Sequence, residues 1–289
     1  MTLSRSETVK PLPDANGSAT IFPPIRACIF DMDGLLINSE DIITLCTNRL
    51  LDKYDRPAFT RSIRVQMMGV PDSTNGDIFH NWAKLPIPRE QFAQEWSELM
   101  QLQFQSCEPL PGADKLLSDL IHAQNSSGDK IKLALASSST SHEFKLKTSR
   151  PETKQLMDFF QPNQRILGDD ARLRQGRGKP APDIYLIALQ SLNSAADAEE
   201  AIMPDECLVF EDSAAGVEAG RRAGMRVVWV PHQDVAAEYG NKQKQVLAGR
   251  MGINALGDDW QLGEVDDGWA ESISSLEDFD YRKYGIEVL

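Results

Sequence analysis

Short apolar runs of strand length alternate along this chain with longer stretches whose apolar positions recur every three or four residues. Ala27-Cys28-Ile29-Phe30 is the first such run, and Ile131 to Ala136, Ile166-Leu167, Leu208 to Phe210 and Val227 to Val230 follow it. Helical spacing separates them, at Leu116, Leu117, Leu120 and Ile121, at Ile184 to Leu192, and at Val217 to Ala223. Strands that alternate with helices predict an α/β fold, a doubly wound Rossmann-like parallel sheet with helices on both faces.

The alternation is interrupted once. Residues 39–107 hold no convincing strand but several helical stretches, such as Ile42, Leu45, Cys46, Arg49 and Leu50, and a second through Phe92, Trp96, Leu99, Met100 and Gln103. Breaks fall at Asp55-Arg56-Pro57, Gly69-Val70-Pro71 and Leu85-Pro86-Ile87-Pro88; prolines and glycines of this kind punctuate helices. The expected organisation is a flexible arm over 1–24, a core formed by 25–38 and 108–289, and an inserted helical domain over 39–107. Residues 234–270 are rich in Gly, Gln and Asp without clear periodicity, and read as an irregular surface excursion.

Composition narrows the partners. A formal charge of −13 repels nucleic acid in the absence of a local basic patch. No run is long enough to span a bilayer, and the arm lacks the apolar stretch of a secretory signal. Cys28, Cys46, Cys107 and Cys207 are scattered without a CxxC pair, which suits reduced thiols in the cytoplasm. The four histidines, His80, His122, His142 and His232, have no Ser or Cys arrangement around them and read as surface or packing residues.

Candidate chemistry sits at the ends of the strands. Asp31 and Asp33 follow the first apolar run, where an open parallel sheet places its ligands, and Gly34 permits the turn that lets both acids converge. Ser137-Ser138-Ser139-Thr140 follows the second run, either as phosphate-binding hydroxyls and N–H groups or as plain helix caps. Lys179 stands between Gly178 and two prolines, which fix its backbone. Glu211-Asp212 follows Cys207 to Phe210, and the pair could equally open a helix. Arg172, Arg174 and Arg177 read as a solvated loop, or as one contact to a substrate anion.

Taken together, Asp31-x-Asp33, Ser137, Lys179 and Glu211-Asp212 resemble, in order, the four motifs of the haloacid dehalogenase superfamily. The resemblance spans about Arg26 to Val230, resumes around Ser274 to Phe279, and leaves the arm unexplained. It implies that 39–107 is a C1-type cap closing over the site. In that family's mechanism Asp31 attacks phosphorus to form an aspartyl-phosphate, while Asp33 protonates the leaving oxygen and later activates water. Ser137, Ser138, Met32 and Lys179 would hold the phosphoryl group. Mg²⁺ is the implied cofactor, held by Asp31, Asp212, the Asp33 carbonyl and Glu211.

Asp33, standing where dehalogenating relatives carry an aromatic or apolar residue, selects phosphoryl transfer over carbon–halogen hydrolysis. Longer matches, including Lys147-Thr148-Ser149-Arg150 and Leu167-Gly168-Asp169-Asp170, resemble the pseudouridine-5′-phosphatase branch. Hydrolysis of a small phosphomonoester by a cytoplasmic monomer is therefore expected, with pseudouridine 5′-phosphate first and a sugar or polyol phosphate second. A β-phosphoglucomutase-like mutase is the alternative enzyme, although Ile43 and Asp72 stand where mutases carry a histidine and a basic residue. A non-catalytic phosphate-binding scaffold would be expected to have lost a motif residue, and none is lost. Asn38, where that branch has Asp, the arginine loop and the long segment after Pro231 depart from its pattern.

Overall fold

The computed structural model describes residues 22–67, 79–194, 200–252 and 261–289. Its centre is a six-stranded sheet, in which β1 (Ala27–Phe30) pairs in parallel with both β3 (Lys132–Ala136) and β5 (Cys207–Glu211). Beyond β3 lies β4 (Arg165–Ile166), and beyond β5 lie β6 (Arg226–Trp229) and β7 (Ala270–Ser272), so the order is β4-β3-β1-β5-β6-β7. The chain leaves β1 toward one edge, then returns to build the other edge from β5. That reversal opens a crevice at the carboxyl ends of β1 and β5, where doubly wound sheets bind ligands.

Period-two alternation divides each strand between two cores. Cys28, Phe30, Leu133, Leu135, Leu208 and Phe210 point to one side, where α4 (Ala113–Ile121) and α6 (Pro151–Met157) contribute Leu116, Leu117, Leu120, Leu156 and Met157. Ala27, Ile29, Ala134, Ala136, Cys207 and Val209 face the other, under α7 (Asp183–Leu192) and α8 (Ala214–Arg222). Because both faces are covered, the strands read as continuous apolar runs. Phe30 and Phe210 stack at 4.5 Å and lock the register at the floor of the crevice.

The insert carries α1 (Ser39–Lys53), α2 (Arg61–Met67) and α3 (Arg89–Gln103), and a small core of its own forms from Leu50, Leu51, Phe79, Ala83 and Phe92. It leaves and rejoins the sheet through two adjacent segments: Asn38 N–H donates to the Glu108 carbonyl at 3.0 Å, and Glu108 N–H donates to Asn38 Oδ1 at 2.8 Å. The proline-bounded start of α3 lies where the sequence places it. The expected break at Gly69-Val70-Pro71, and Asp72, fall outside the described residues.

One expectation is corrected. The described parts of 234–270, residues 234–252 and 261–270, are not an irregular surface excursion: they include most of α9 (Gln233–Glu238) and all of α10 (Gln243–Leu247), and they end where β7 begins. Val235 and Val246 are buried in the second core, and β7 pairs in parallel with β6, with Val227 opposite Ala270. These helices are too short to show a helical period, and Gly240, Gly249 and Gly252 interrupt them. The short antiparallel pair β2 (Ala123–Asn125) and β8 (Ile286–Val288) also escaped the sequence pattern, because three-residue strands carry almost no periodic signal.

Candidate active site

Each strand end delivers one part of the site. Asp31 N–H donates to the Phe210 carbonyl at 3.0 Å, which continues the ladder one step past β1 and fixes the Asp31 side chain over the crevice. Gly34 then turns with φ of 75°, and a Cβ there would lie 2.3 Å from Asp212 Oδ2, so the turn residue also makes room for the acid across the crevice. Glu211 ends β5 and Asp212 follows it, its carbonyl accepting from Trp229 Nε1 at 2.8 Å. Ser137 N–H donates to the Ile166 carbonyl at 3.0 Å, which holds the serine loop at the ends of β3 and β4.

Three carboxylates meet one ammonium. Oxygens of Asp31, Glu211 and Asp212 all lie within 4.8 Å of one another. Lys179 Nζ, 3% exposed as a residue, donates to Asp31 Oδ1 at 2.5 Å and to Glu211 Oε1 at 2.5 Å. Burial pushes the Asp31 carboxyl up to about 8, with Glu211 and Asp33 adding to the effect and Lys179 opposing it. Asp212 is raised for the same reasons, burial first and then Glu211 and Asp31. Burial would lower Lys179, but Asp31 and Glu211 outweigh it and hold the ammonium well above its ordinary range.

Glu211 is fully engaged by the protein. Its Oε1 also accepts from Tyr185 Oη at 2.5 Å, and its Oε2 accepts from Asp212 N at 3.1 Å, Ser213 N at 3.2 Å and Ser213 Oγ at 3.1 Å. Gly216 lies so close to this carboxylate that a Cβ would sit 1.8 Å from Oε1. The open lone pairs of the cluster therefore belong to Asp31 and Asp212. A hard cation with oxygen ligands fits this set: carboxylates short of positive charge, without the sulfur or imidazole donors that select softer metals.

Asp33 lies in a different environment. Its Oδ1 accepts from Ser39 Oγ at 2.5 Å and Lys147 Nζ at 2.7 Å, and its Oδ2 accepts from Ser139 Oγ at 2.6 Å and Ser137 Oγ at 3.2 Å. Burial alone would raise its carboxyl, but Lys147 and the hydroxyls outweigh that effect and hold it below the usual carboxylate range. The two acids one residue apart are thus pushed in opposite directions, Asp31 up and Asp33 down, in the absence of a cation. The N–H groups of Met32 and Ser138 have no protein acceptor among the described residues.

All the motif residues converge here; Ser139 of the serine run joins them as a partner of Asp33, and so do four residues that the sequence did not single out for this role. Ser39, Glu40, Ser139, Lys147 and Tyr185 line the same region, with Glu40 pushed up to about 7 by burial and by Asp33. Lys147 ends α5 (Ser141–Lys147), and Tyr185 lies inside α7, so neither occupies the strand-end position that drew notice to the others. Arg172 pairs with Asp170, and Arg177 with Asp183, which accounts for two of the three loop arginines as structural ties. His142 is exposed, and His80 packs on Phe79 and Phe92.

Gly168 supports the serine loop from below. Its N–H donates to the Ser139 carbonyl at 2.8 Å, and a Cβ there would lie 2.1 Å from the Ser138 carbonyl oxygen. That neighbour is backbone and cannot swing away. Gly168→Ala is expected to cost about 1–3 kcal/mol through overpacking and to lower the melting temperature by several degrees. Thermal denaturation reads the result, and an unchanged melting temperature would show that the loop yields freely.

Comparison with known proteins agrees with this geometry. Residues 28–230 match the profile of the haloacid dehalogenase-like hydrolase family. A "probable pseudouridine-5′-phosphatase" of Saccharomyces cerevisiae is 36% identical over 262 residues, covering 91% of this chain and 98% of that protein. The mitochondrial (DL)-glycerol-3-phosphatase 1 of Arabidopsis thaliana is 31% identical, covering 84% of this chain and 76% of its own. Among solved structures, a HAD family hydrolase from Deinococcus radiodurans with bound phosphate and sodium superposes with a TM-score of 0.56 at 25% identity, over 80% of this chain and 97% of that one. Among the described residues no helix is long and apolar enough to cross a membrane.

Proposed function

The chain belongs to the haloacid dehalogenase-like hydrolases, and we propose that within that family it is a Mg²⁺-dependent phosphomonoesterase working through an aspartyl-phosphate on Asp31. The observation that carries this reading is the cluster of Asp31, Glu211 and Asp212 around Lys179 Nζ, a set that fits a hard divalent cation, with Asp33 held beside it by Ser137 and Lys147. Asp31 supplies the attacking oxygen, oriented by Lys179 Nζ. Asp33, which the site holds ionised, takes up a proton from solvent and passes it to the departing alkoxide, and it later takes one from the hydrolytic water. Ser137 and the N–H groups of Met32 and Ser138 hold the phosphoryl oxygens, and Lys179 balances their charge.

Asp31, Asp212 and the Asp33 carbonyl would hold Mg²⁺ directly, and Glu211 would join them by giving up one of its present donors. Bound there, Mg²⁺ supplies the positive charge that keeps the clustered carboxylates ionised and offsets charge on the phosphoryl group. The helices of 39–107 serve as a cap over the crevice, entering and leaving at Asn38 and Glu108, and exclude water from the reacting centre. Four buried free cysteines support a reducing, cytoplasmic setting, with the protein acting as a monomer.

Pseudouridine 5′-phosphate is the leading substrate, supported by the 36% identity to the yeast relative across nearly the whole of both chains. Glycerol 3-phosphate is the second reading, favoured by the 31% identity to the Arabidopsis glycerol-3-phosphatase. A panel of nucleotides, pseudouridine 5′-phosphate, glycerol 3-phosphate and sugar phosphates, with phosphate release measured against time, separates them. Release is expected only with Mg²⁺, to stop on chelation, and to be most efficient with pseudouridine 5′-phosphate. No turnover across the panel with Mg²⁺ present would sink the enzyme reading.

A further inference from the structure

Asp33 as it stands has no acceptor capacity left. A carboxylate offers roughly four lone-pair sites, and Ser39, Lys147, Ser139 and Ser137 occupy them. An acid–base group held this way can exchange a proton with a leaving oxygen or a water only after releasing at least one donor. Three of the donors are hydroxyls, which rotate at little cost. The fourth is a buried ammonium, and its position decides where the carboxylate rests.

Lys147 is tied to more than Asp33. Its Nζ donates to Ser139 Oγ at 2.7 Å, the same hydroxyl that serves Asp33 Oδ2, and it stands 4.5 Å over the centroid of the Phe104 ring. Phe104 opens the 3-10 turn Phe104–Ser106 that follows α3, where the helical insert returns toward Cys107 and Glu108. Lys147 itself ends α5, on the core side. The ammonium is thus seated on the base of the insert by one face and on the Asp33 carboxylate by another, with Phe104 2% exposed and Lys147 4% exposed.

We propose that Lys147, seated on the Phe104 ring, is a positioning residue for proton transfer at Asp33: the three hydroxyls turn away while the ammonium fixes where the carboxylate rests. Removing the ammonium leaves Asp33 present but misplaced. This rests on the phosphomonoesterase reading above.

Leaving-group dependence provides the test. An alkoxide departing from an alkyl phosphate needs a proton, whereas 2,4-dinitrophenolate leaves without one, so a misplaced acid penalises the first ester only. In Lys147→Met, kcat/KM for glycerol 3-phosphate is expected to fall by about 10²-fold or more, against only a few-fold for 2,4-dinitrophenyl phosphate. The aryl ester should then show a burst of one equivalent of phenolate, because the water attack that follows still needs Asp33 as a base. Phe104→Leu, which removes the ring without emptying the packing, is expected to show the same selectivity with a smaller loss, and it carries the test if Lys147→Met does not fold. Equal losses on both esters without a burst, or no loss on either, would overturn the proposal. Wild-type protein that turns over neither ester would take down the phosphomonoesterase reading and this one with it.

Discussion

Asp31→Asn is expected to abolish phosphate release, by about 10⁴-fold or more, the scale on which loss of a nucleophile registers in covalent catalysis. The amide has the shape of the carboxyl group, so Oδ1 can still accept from Lys179, but it offers no anionic oxygen to phosphorus. Folding should not suffer. Burial pushes Asp31 up to about 8 in the folded, metal-free protein, while the unfolded chain ionises it near 3.8. Between those values folding must take up a proton, so the acid destabilises the protein increasingly as pH rises from about 4 toward 8. The amide removes that penalty. In chelator-treated protein, Asp31→Asn should therefore melt higher than wild type at pH 7 to 8 and level with it near pH 4. A variant that keeps normal turnover would eliminate Asp31 as nucleophile; one that melts far below wild type at pH 7 would refute the electrostatic account of the cluster.

Why Asp31 was legible in the sequence while much of its support was not follows from where each residue sits. Asp31, Ser137 and Glu211-Asp212 come directly at or after apolar runs, and a doubly wound sheet converts that one-dimensional position into a shared crevice. Lys179 stood out because its flanking Gly178 and prolines mark a loop. Lys147 and Tyr185 lie on helices, where a charged or phenolic residue carries no local mark of function; only the packing of α5 and α7 against the sheet turns them inward. The same holds for β7, whose partner β6 is more than forty residues away across α9 and α10. Non-local pairing of a three-residue strand has no signature in a sequence window. The inserted helices were visible because a run of breaks and helical spacing without strands is a property of the window itself.

Lys179 presents the opposite case to Asp31, because it is the positive charge that lets the cluster exist. Its ammonium is shared by Asp31 and Glu211, and it stands 5.2 Å from the centre of the Tyr185 ring, the residue whose hydroxyl meets the same Glu211 oxygen. Lys179→Met preserves much of the volume and removes the charge. What remains is a buried set of carboxylates with no cation among them, a loss that costs about 3–5 kcal/mol when one partner of a buried pair is deleted. Such a change moves the melting temperature of a chain this size by roughly 2–4 °C per kcal/mol, so a drop of about ten degrees is expected at pH 8. The sign of the pH dependence is fixed by the surviving acids. Asp31 and Asp212 are already raised by burial, and without Lys179 to oppose that effect they rise further. Carboxyls with raised folded-state pKa values favour folding at low pH and lose that contribution as pH rises, so the deficit of Lys179→Met should shrink as pH falls toward 5. Saturating Mg²⁺ should recover much of the melting temperature, since it returns positive charge to the same acids. It should not recover turnover, because Asp31 has lost the donor that orients its attacking oxygen. Denaturation curves across pH with and without Mg²⁺, beside phosphate release under the same conditions, measure both halves; a variant equal to wild type in stability at pH 8 would show that the cluster does not depend on Lys179 for its charge balance.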